Sequence, residues 1–148
     1  MSEFDAFARY YDADYGAIDE DVPFYRELAR GCGGRVLEVM CGSGRLLVPL
    51  AQAGLRVAGI DISGAMLARA RERLRAAGLL ERVELTEGDI CACAPPGPFG
   101  LAIVAVNSFM HLLTVEAQLA ALGQIREALR PGGTLALDLF NPDVARLA

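Results

Sequence analysis

The chain has 148 residues, of which 53% are hydrophobic, and its formal net charge is −5 at pH 7. This length predicts one domain with a substantial core, and no apolar run reaches the roughly 18 residues of a membrane span. The acidic balance argues against a nucleic-acid partner, which normally selects a basic surface. We therefore expect neither a nucleic acid nor a membrane as partner.

The first 31 residues are predicted to form a helical segment ahead of the main fold. Residues 3–15 carry five aromatic side chains at mixed helical spacing, and residues 20–31 follow a helical pattern with Val22 and Tyr25 on one side. Residues 1–5 lack the basic and apolar regions of a signal peptide. We therefore expect a cytoplasmic protein whose four cysteines stay reduced.

The stretch from Val36 to Arg45 predicts a buried strand, a tight glycine turn and the start of a helix. Gly42 and Gly44 would let the backbone approach a ligand without an intervening Cβ. Asp61 ends the next apolar run, 19 residues after Gly42, where it could accept hydrogen bonds from two ribose hydroxyls. Because a parallel βαβ unit binds such ligands beyond the carboxyl ends of its strands, we expect a nucleoside derivative.

The glycine pattern bears on which nucleoside derivative is bound. A dinucleotide site requires a third glycine where this chain has Leu47. Glu38, four residues before Gly42, would repel a pyrophosphate but suits a cationic ligand group. Both features count against an NAD-binding dehydrogenase, which would share the fold and is the less favoured alternative.

Three more strands are predicted downstream. Residues 83–86 precede Gly88 and Asp89, and residues 101–106 form a continuous apolar run that ends at Asn107, typical of a strand buried on both faces. A fifth strand follows Pro131 and Gly132, which we expect to end the preceding helix.

Two helices have predicted caps, Ser63 for residues 64–77 and Thr114 for the helix that runs to about Leu129. The second helix is expected to face the sheet with four side chains: Leu119, Leu122, Ile125 and Leu129.

Taken in order, the motif E-x-x-x-G-x-G from Glu38 to Gly44, the acidic residues Asp61 and Asp89, and the fifth strand resemble the class I S-adenosylmethionine-dependent methyltransferases, particularly those acting on small molecules. The resemblance covers residues 36–140. It implies an α/β, Rossmann-like, doubly wound sheet of about five parallel strands in the order 3-2-1-4-5, with helices on both faces. We expect a single domain over residues 1–148, with a lid in residues 1–31 and a Rossmann-like core in residues 35–140.

The resemblance also implies a site. Asp89 would meet the adenine amino group of S-adenosylmethionine, and Tyr15 would contact the methyl acceptor. The residues expected to bind the cofactor are Tyr11, Glu38, Cys41, Gly42, Ser43, Gly44, Asp61, Ile62, Asp89, Ile90 and Asn107. No metal is expected, because Cys91 and Cys93 are too close in sequence for the usual zinc spacing and have no second ligand pair.

The implied activity is methyl transfer to a nitrogen or oxygen of a small molecule. A nucleophile displaces a neutral thioether in line, so positioning can supply much of the rate. His111 is the only histidine and follows strand four, which makes it the candidate catalytic residue. Its alternative role is to cap that turn or to pack under the N-terminal segment. A non-catalytic S-adenosylmethionine-binding or interaction domain is the alternative function, since a fold does not fix a function.

The sheet of this class usually has seven strands, whereas this chain ends at Ala148, shortly after strand five. We therefore expect an N-terminal portion that lacks the last two strands. Leu135, Leu137 and Leu139 would then form an apolar sheet edge, which following residues would cover or which would pair with a second copy in a homodimer.

Overall fold

The computed structural model describes residues 8, 10 and 19–143. Five strands form one parallel sheet in the order β3-β2-β1-β4-β5, which confirms the predicted topology. The strands are β1 (Arg35–Val39), β2 (Arg56–Asp61), β3 (Val83–Glu87), β4 (Phe99–Val104) and β5 (Leu129–Leu137). The helices around them are α1 (Val22–Cys32), α2 (Leu47–Gln52), α3 (Gly64–Ala76) and α4 (Val115–Ala128), with short 3₁₀ turns at Leu80–Arg82 and Ser108–His111.

Successive strand residues point to opposite faces of the sheet, so both faces carry apolar side chains. Helices cover each face and bury them. Val36 of β1 belongs to a buried cluster with side chains of α1, α2 and α3. Its neighbour Leu37 belongs to a second cluster, which includes Ile125 of α4. All six residues of β4 are buried, as its uninterrupted apolar sequence predicted.

Helices α3 and α4 begin where their cap residues predicted. The Ser63 hydroxyl accepts a hydrogen bond from the Met66 N–H at 3.1 Å, and the Thr114 hydroxyl accepts one from the Ala117 N–H at 3.1 Å. Each bond satisfies a backbone donor that the first helical turn would otherwise leave unpaired. Both caps lie at the end of the sheet where the strands terminate.

The predicted buried face of α4 was wrong in part. Leu119 is 63% exposed, whereas the fully buried positions of the helix are Ala121, Ile125 and Ala128. These positions follow the helical repeat as well as the leucines do, and two alanines let the helix lie close to the sheet. The helical periodicity was therefore compatible with both faces, and the prediction was wrong because it assigned the larger side chains to the buried face.

The start of β5 also differs from the prediction. Helix α4 ends at Ala128, before Pro131 and Gly132, and the strand begins immediately at Leu129. Because a residue that precedes proline disfavours helical backbone, Arg130 is extended. The proline and glycine fall in an irregular stretch between the pairs Phe99–Leu129 and Leu101–Thr134.

Strand β5 pairs with β4 and forms one edge of the described sheet. Leu139 and Phe140, just beyond it, are 49% and 64% exposed. None of the helices within the described ranges has the length and apolar character that crossing a bilayer requires. Most of the predicted lid over residues 1–31, including Tyr11 and Tyr15, lies outside the described residues.

Candidate ligand-binding site

A cavity of about 620 Å³ lies beyond the carboxyl ends of β1, β2, β3 and β4, within the usual range for small-molecule sites. Its walls come mainly from the segments that follow these strands, as the rule for open α/β sheets predicts. Six of the residues singled out from the sequence line it: Gly42, Asp61, Ile62, Asp89, Ile90 and His111.

Asp61 fixes the geometry of the site. Its Oδ2 accepts a hydrogen bond from the Gly42 N–H at 2.7 Å, and its Oδ1 accepts one from the Ser63 N–H at 2.8 Å. The carboxylate therefore joins the glycine turn to the first residue before α3. Each carboxylate oxygen can accept a further hydrogen bond, so a ligand at the cavity wall can still use them. The spacing from Gly42 indicated a carboxylate here, but not this bracing role.

The two motif glycines have different surroundings. Gly42 lines the cavity, with a φ of +53°. Gly44 has a φ of +78°, and a Cβ on it would lie 3.1 Å from the Ala70 Cβ of α3. Gly44 thus lets the turn approach a helix, whereas Gly42 is the glycine at the cavity wall.

Cys41 and Ser43 are buried and do not belong to the cavity wall. Cys41 packs against β2, where a Cβ on Gly59 would lie 2.8 Å from the cysteine sulfur. Burial, together with the charges of Glu38 and Asp61, raises the pKa of the Cys41 thiol well above its usual range. This thiol is therefore protonated at neutral pH.

Glu38 lies behind the cavity wall and is only 5% exposed. It accepts a hydrogen bond from the Leu47 backbone, while its buried Oε2 has no partner among the described residues. Burial raises the pKa of Glu38 to about 8. The positive charge of Arg45 lowers this pKa, whereas the negative charges of Asp61 and Asp21 raise it further. A cationic ligand group nearby would stabilise the ionised form.

An ion pair ties the glycine turn to α1. The Arg45 Nη1 and Nη2 donate to the two carboxylate oxygens of Asp21 at 2.6 and 2.7 Å. Tyr25 of the same helix is buried, and burial with the charges of Asp138 and Asp21 raises its pKa to about 12. The charges of Asp138, Asp21 and Arg45 thus all act on the Tyr25 hydroxyl.

Asp89 is exposed and lines the cavity, and its Oδ1 accepts a hydrogen bond from the Cys91 N–H at 2.8 Å. Cys91 also lines the cavity. Burial and the neighbouring Asp89 raise the pKa of the Cys91 thiol, which lowers its nucleophilicity at neutral pH.

The backbone is left-handed where β1 and β4 end. Met40, Val106 and Asn107 have φ values of +56°, +53° and +57°. Such conformations cost roughly 1–3 kcal/mol each in non-glycine residues and concentrate at functional sites. Met40 and Val106 line the cavity, yet no sequence signal marks them, because neither residue type favours this backbone.

His111 ends the 3₁₀ turn after β4 and lines the cavity. Asn107 begins this turn; it is not a wall residue, although its neighbours Val106 and Ser108 are. The Asn107 Oδ1 is buried without a hydrogen-bond partner within residues 19–143. The cofactor and catalytic roles assigned to these residues remain predictions.

A parallel sheet of this order, with a cavity beyond its strand ends, defines a Rossmann-like protein of the nucleoside-binding type. Residues 36–133 match the family described as "Methyltransferase domain", and the chain belongs to that family. This match confirms the class predicted from the motifs.

Two curated relatives and one solved structure illustrate the similarity. The chain is 42% identical over 89 residues to carboxy-S-adenosyl-L-methionine synthase from Pseudomonas syringae pv. syringae, covering 57% of this chain and 34% of that protein. It is 33% identical over 132 residues to glycine/sarcosine N-methyltransferase from Halorhodospira halochloris, covering 89% and 49%. The crystal structure of the glycopeptide N-methyltransferase MtfA complexed with S-adenosyl-L-methionine superposes with a TM-score of 0.73 at 30% identity, covering 87% and 58%. The chain thus spans about a third to a half of the length of these curated relatives.

Proposed function

We propose that this chain binds S-adenosylmethionine and forms the cofactor-binding part of an enzyme that methylates a nitrogen or oxygen of a small molecule. The observation that carries the proposal is the Asp61 carboxylate at the cavity wall, braced by the Gly42 and Ser63 N–H groups. The similarity to an N-methyltransferase structure that contains this cofactor supports it.

The described residues fit the cofactor chemically. Asp61 offers acceptors for a ribose diol, and Asp89 offers one for an adenine amino group between the apolar side chains of Ile62 and Ile90. Glu38 has a buried oxygen without a partner in the described part of the chain, as expected beside a cationic group. When bound, the cofactor supplies a methyl group activated by a sulfonium.

The acceptor is proposed to be a neutral or amine-bearing small molecule. The cavity wall holds the carboxylates of Asp61 and Asp89, and none of its described residues is Lys or Arg. An anionic acceptor would therefore meet no compensating charge there. His111 is proposed to orient the attacking atom or accept its proton, and Tyr15 to contact the acceptor.

Binding titrations test this proposal. S-adenosylmethionine and S-adenosylhomocysteine should both bind the chain, whereas NAD should not, because Leu47 stands where a dinucleotide site requires its third glycine. Comparable binding of NAD would contradict it. A longer protein that binds the cofactor but shows no turnover with any acceptor would favour the alternative of a non-catalytic binding domain.

Location and assembly are also proposals. Cys32, Cys41, Cys91 and Cys93 are free thiols, which is consistent with the reducing cytoplasm. The apolar edge after β5 is proposed to pair with further residues of the polypeptide or with a second copy. A monomer of this chain by light scattering at all concentrations, with this edge bare in a crystal structure, would contradict pairing with a second copy. The same result for a longer polypeptide would contradict both forms of pairing.

A further inference from the structure

The loop that follows β4, residues 105–114, supplies one side of the cavity and is called the exit loop below. Its wall residues include Val106, Ser108, His111 and Leu112. Two contacts anchor its far end to α4: Gln118 Nε2 donates to the Leu112 carbonyl at 2.8 Å, and Thr114 caps the helix. With that end fixed, the shape of this wall depends on what holds the start of the exit loop, at Val106 and Asn107.

The backbone at the start of the exit loop is strained. Val106 and Asn107 are both left-handed, and a β-branched valine disfavours this conformation more than asparagine does. A strained backbone persists only where surrounding contacts determine it. The question is which contact does so for Val106.

The Val106 side chain packs against the first buried cluster. Its backbone contact comes from Asp138, the first residue after β5. The Asp138 N–H donates to the Val104 carbonyl at 2.9 Å, continuing the strand pairing. Its side-chain Oδ2 accepts a hydrogen bond from the Val106 N–H at 3.0 Å. Asp138 thus binds the chain on both sides of Ala105, where β4 ends and the exit loop turns away. Asp138 itself does not line the cavity.

We propose that Asp138 is a positioning residue, which holds Val106 left-handed so that the exit loop forms the cavity wall, and which thereby sets ligand affinity without touching the ligand. The inference rests on the proposed function for the identity of that ligand. It makes the end of β5 part of the binding site, although this strand is separated from the cavity by β4.

Three variants test the proposal in titrations with S-adenosylhomocysteine. Asp138→Ala removes the acceptor and should weaken binding about tenfold, because the competent loop conformation becomes a minor state. Asp138→Asn keeps an acceptor oxygen and should bind nearly as wild type. Glu127→Ala, at the far end of α4, is the matched control for loss of a carboxylate.

Hydrogen exchange of the Val106 amide gives a measurement that does not depend on the ligand. Exchange should be about tenfold faster in Asp138→Ala than in wild type, with the amides of β1 unchanged. Wild-type affinity in Asp138→Ala, or an equal loss in Asp138→Ala and Asp138→Asn, would overturn the positioning role. If wild type does not bind the ligand at all, the proposed function fails, and unchanged Val106 exchange would separately refute the role of Asp138.

Discussion

Replacement of Asp61 should lower both the free energy of unfolding and the affinity for the ligand, and the contacts of Asp61 allow us to estimate both losses. In Asp61→Ala, the Gly42 and Ser63 N–H groups lose charge-assisted bonds of 2.7 and 2.8 Å. Each unpaired backbone donor costs about 1–3 kcal/mol, so the loss of both should lower the free energy of unfolding by about 2–6 kcal/mol. Asp61→Asn keeps one acceptor oxygen but turns an amide group toward the other donor, so its loss should be intermediate.

The second expected effect of Asp61→Ala is a loss of ligand affinity. Removing a charged partner of the ribose hydroxyls should cost about 1.5–3 kcal/mol, which is roughly a 10- to 150-fold rise in Kd for S-adenosylhomocysteine. Calorimetric titration and urea unfolding measure the two effects on the same preparation, with Glu127→Ala as the control. Unchanged affinity in a folded Asp61→Ala would refute the ribose role, and unchanged stability would refute the bracing role.

Three further predictions concern Glu38, Gly44 and His111. The pKa of Glu38 is raised from 4.5 to about 8, so the folded chain retains a proton that the unfolded chain loses, and wild-type stability should fall as pH rises through this window. Glu38→Gln should therefore match wild type in urea unfolding at pH 4 and exceed it progressively up to about pH 8; a pH-independent difference would contradict the assignment. Gly44→Ala should destabilise the fold by about 1–3 kcal/mol, and by more than the control Gly54→Ala. Both glycines have positive φ, but of the two only Gly44 has a neighbouring atom within 4 Å of the position that a Cβ would take. Equal losses in thermal unfolding would refute the packing role of Gly44. His111→Ala should leave cofactor affinity nearly unchanged while lowering turnover of the complete enzyme by roughly 10²-fold, and full turnover would make His111 structural.

Much of the fold was predictable because its signals are local. Ser63 and Thr114 mark helix starts through hydrogen bonds three residues along the chain. The uninterrupted apolar run of β4 indicated a strand covered on both faces. Asp61 was predictable at the cavity because a polar residue that ends a buried parallel strand must emerge at the ligand-binding edge.

The remaining features depend on contacts between distant parts of the chain. Asp138 holds Val106 across 32 residues, and although both lie in segments that predicted strands, nothing in either segment marks the hydrogen bond between them. The left-handed backbone at Met40 is imposed by its surroundings, since methionine has no preference for that conformation. Leu119 was assigned to the buried face because size is visible in a sequence, whereas the close approach that favours Ala121 appears only in the packed structure.

A crystal structure of this chain with S-adenosylhomocysteine would test the central claim most directly. We expect the nucleoside in the 620 Å³ cavity, with both ribose hydroxyls within about 3 Å of the Asp61 carboxylate oxygens. The adenine should lie between Ile62 and Ile90, near Asp89. A ligand bound elsewhere, or a ribose that makes no contact with Asp61, would contradict the account.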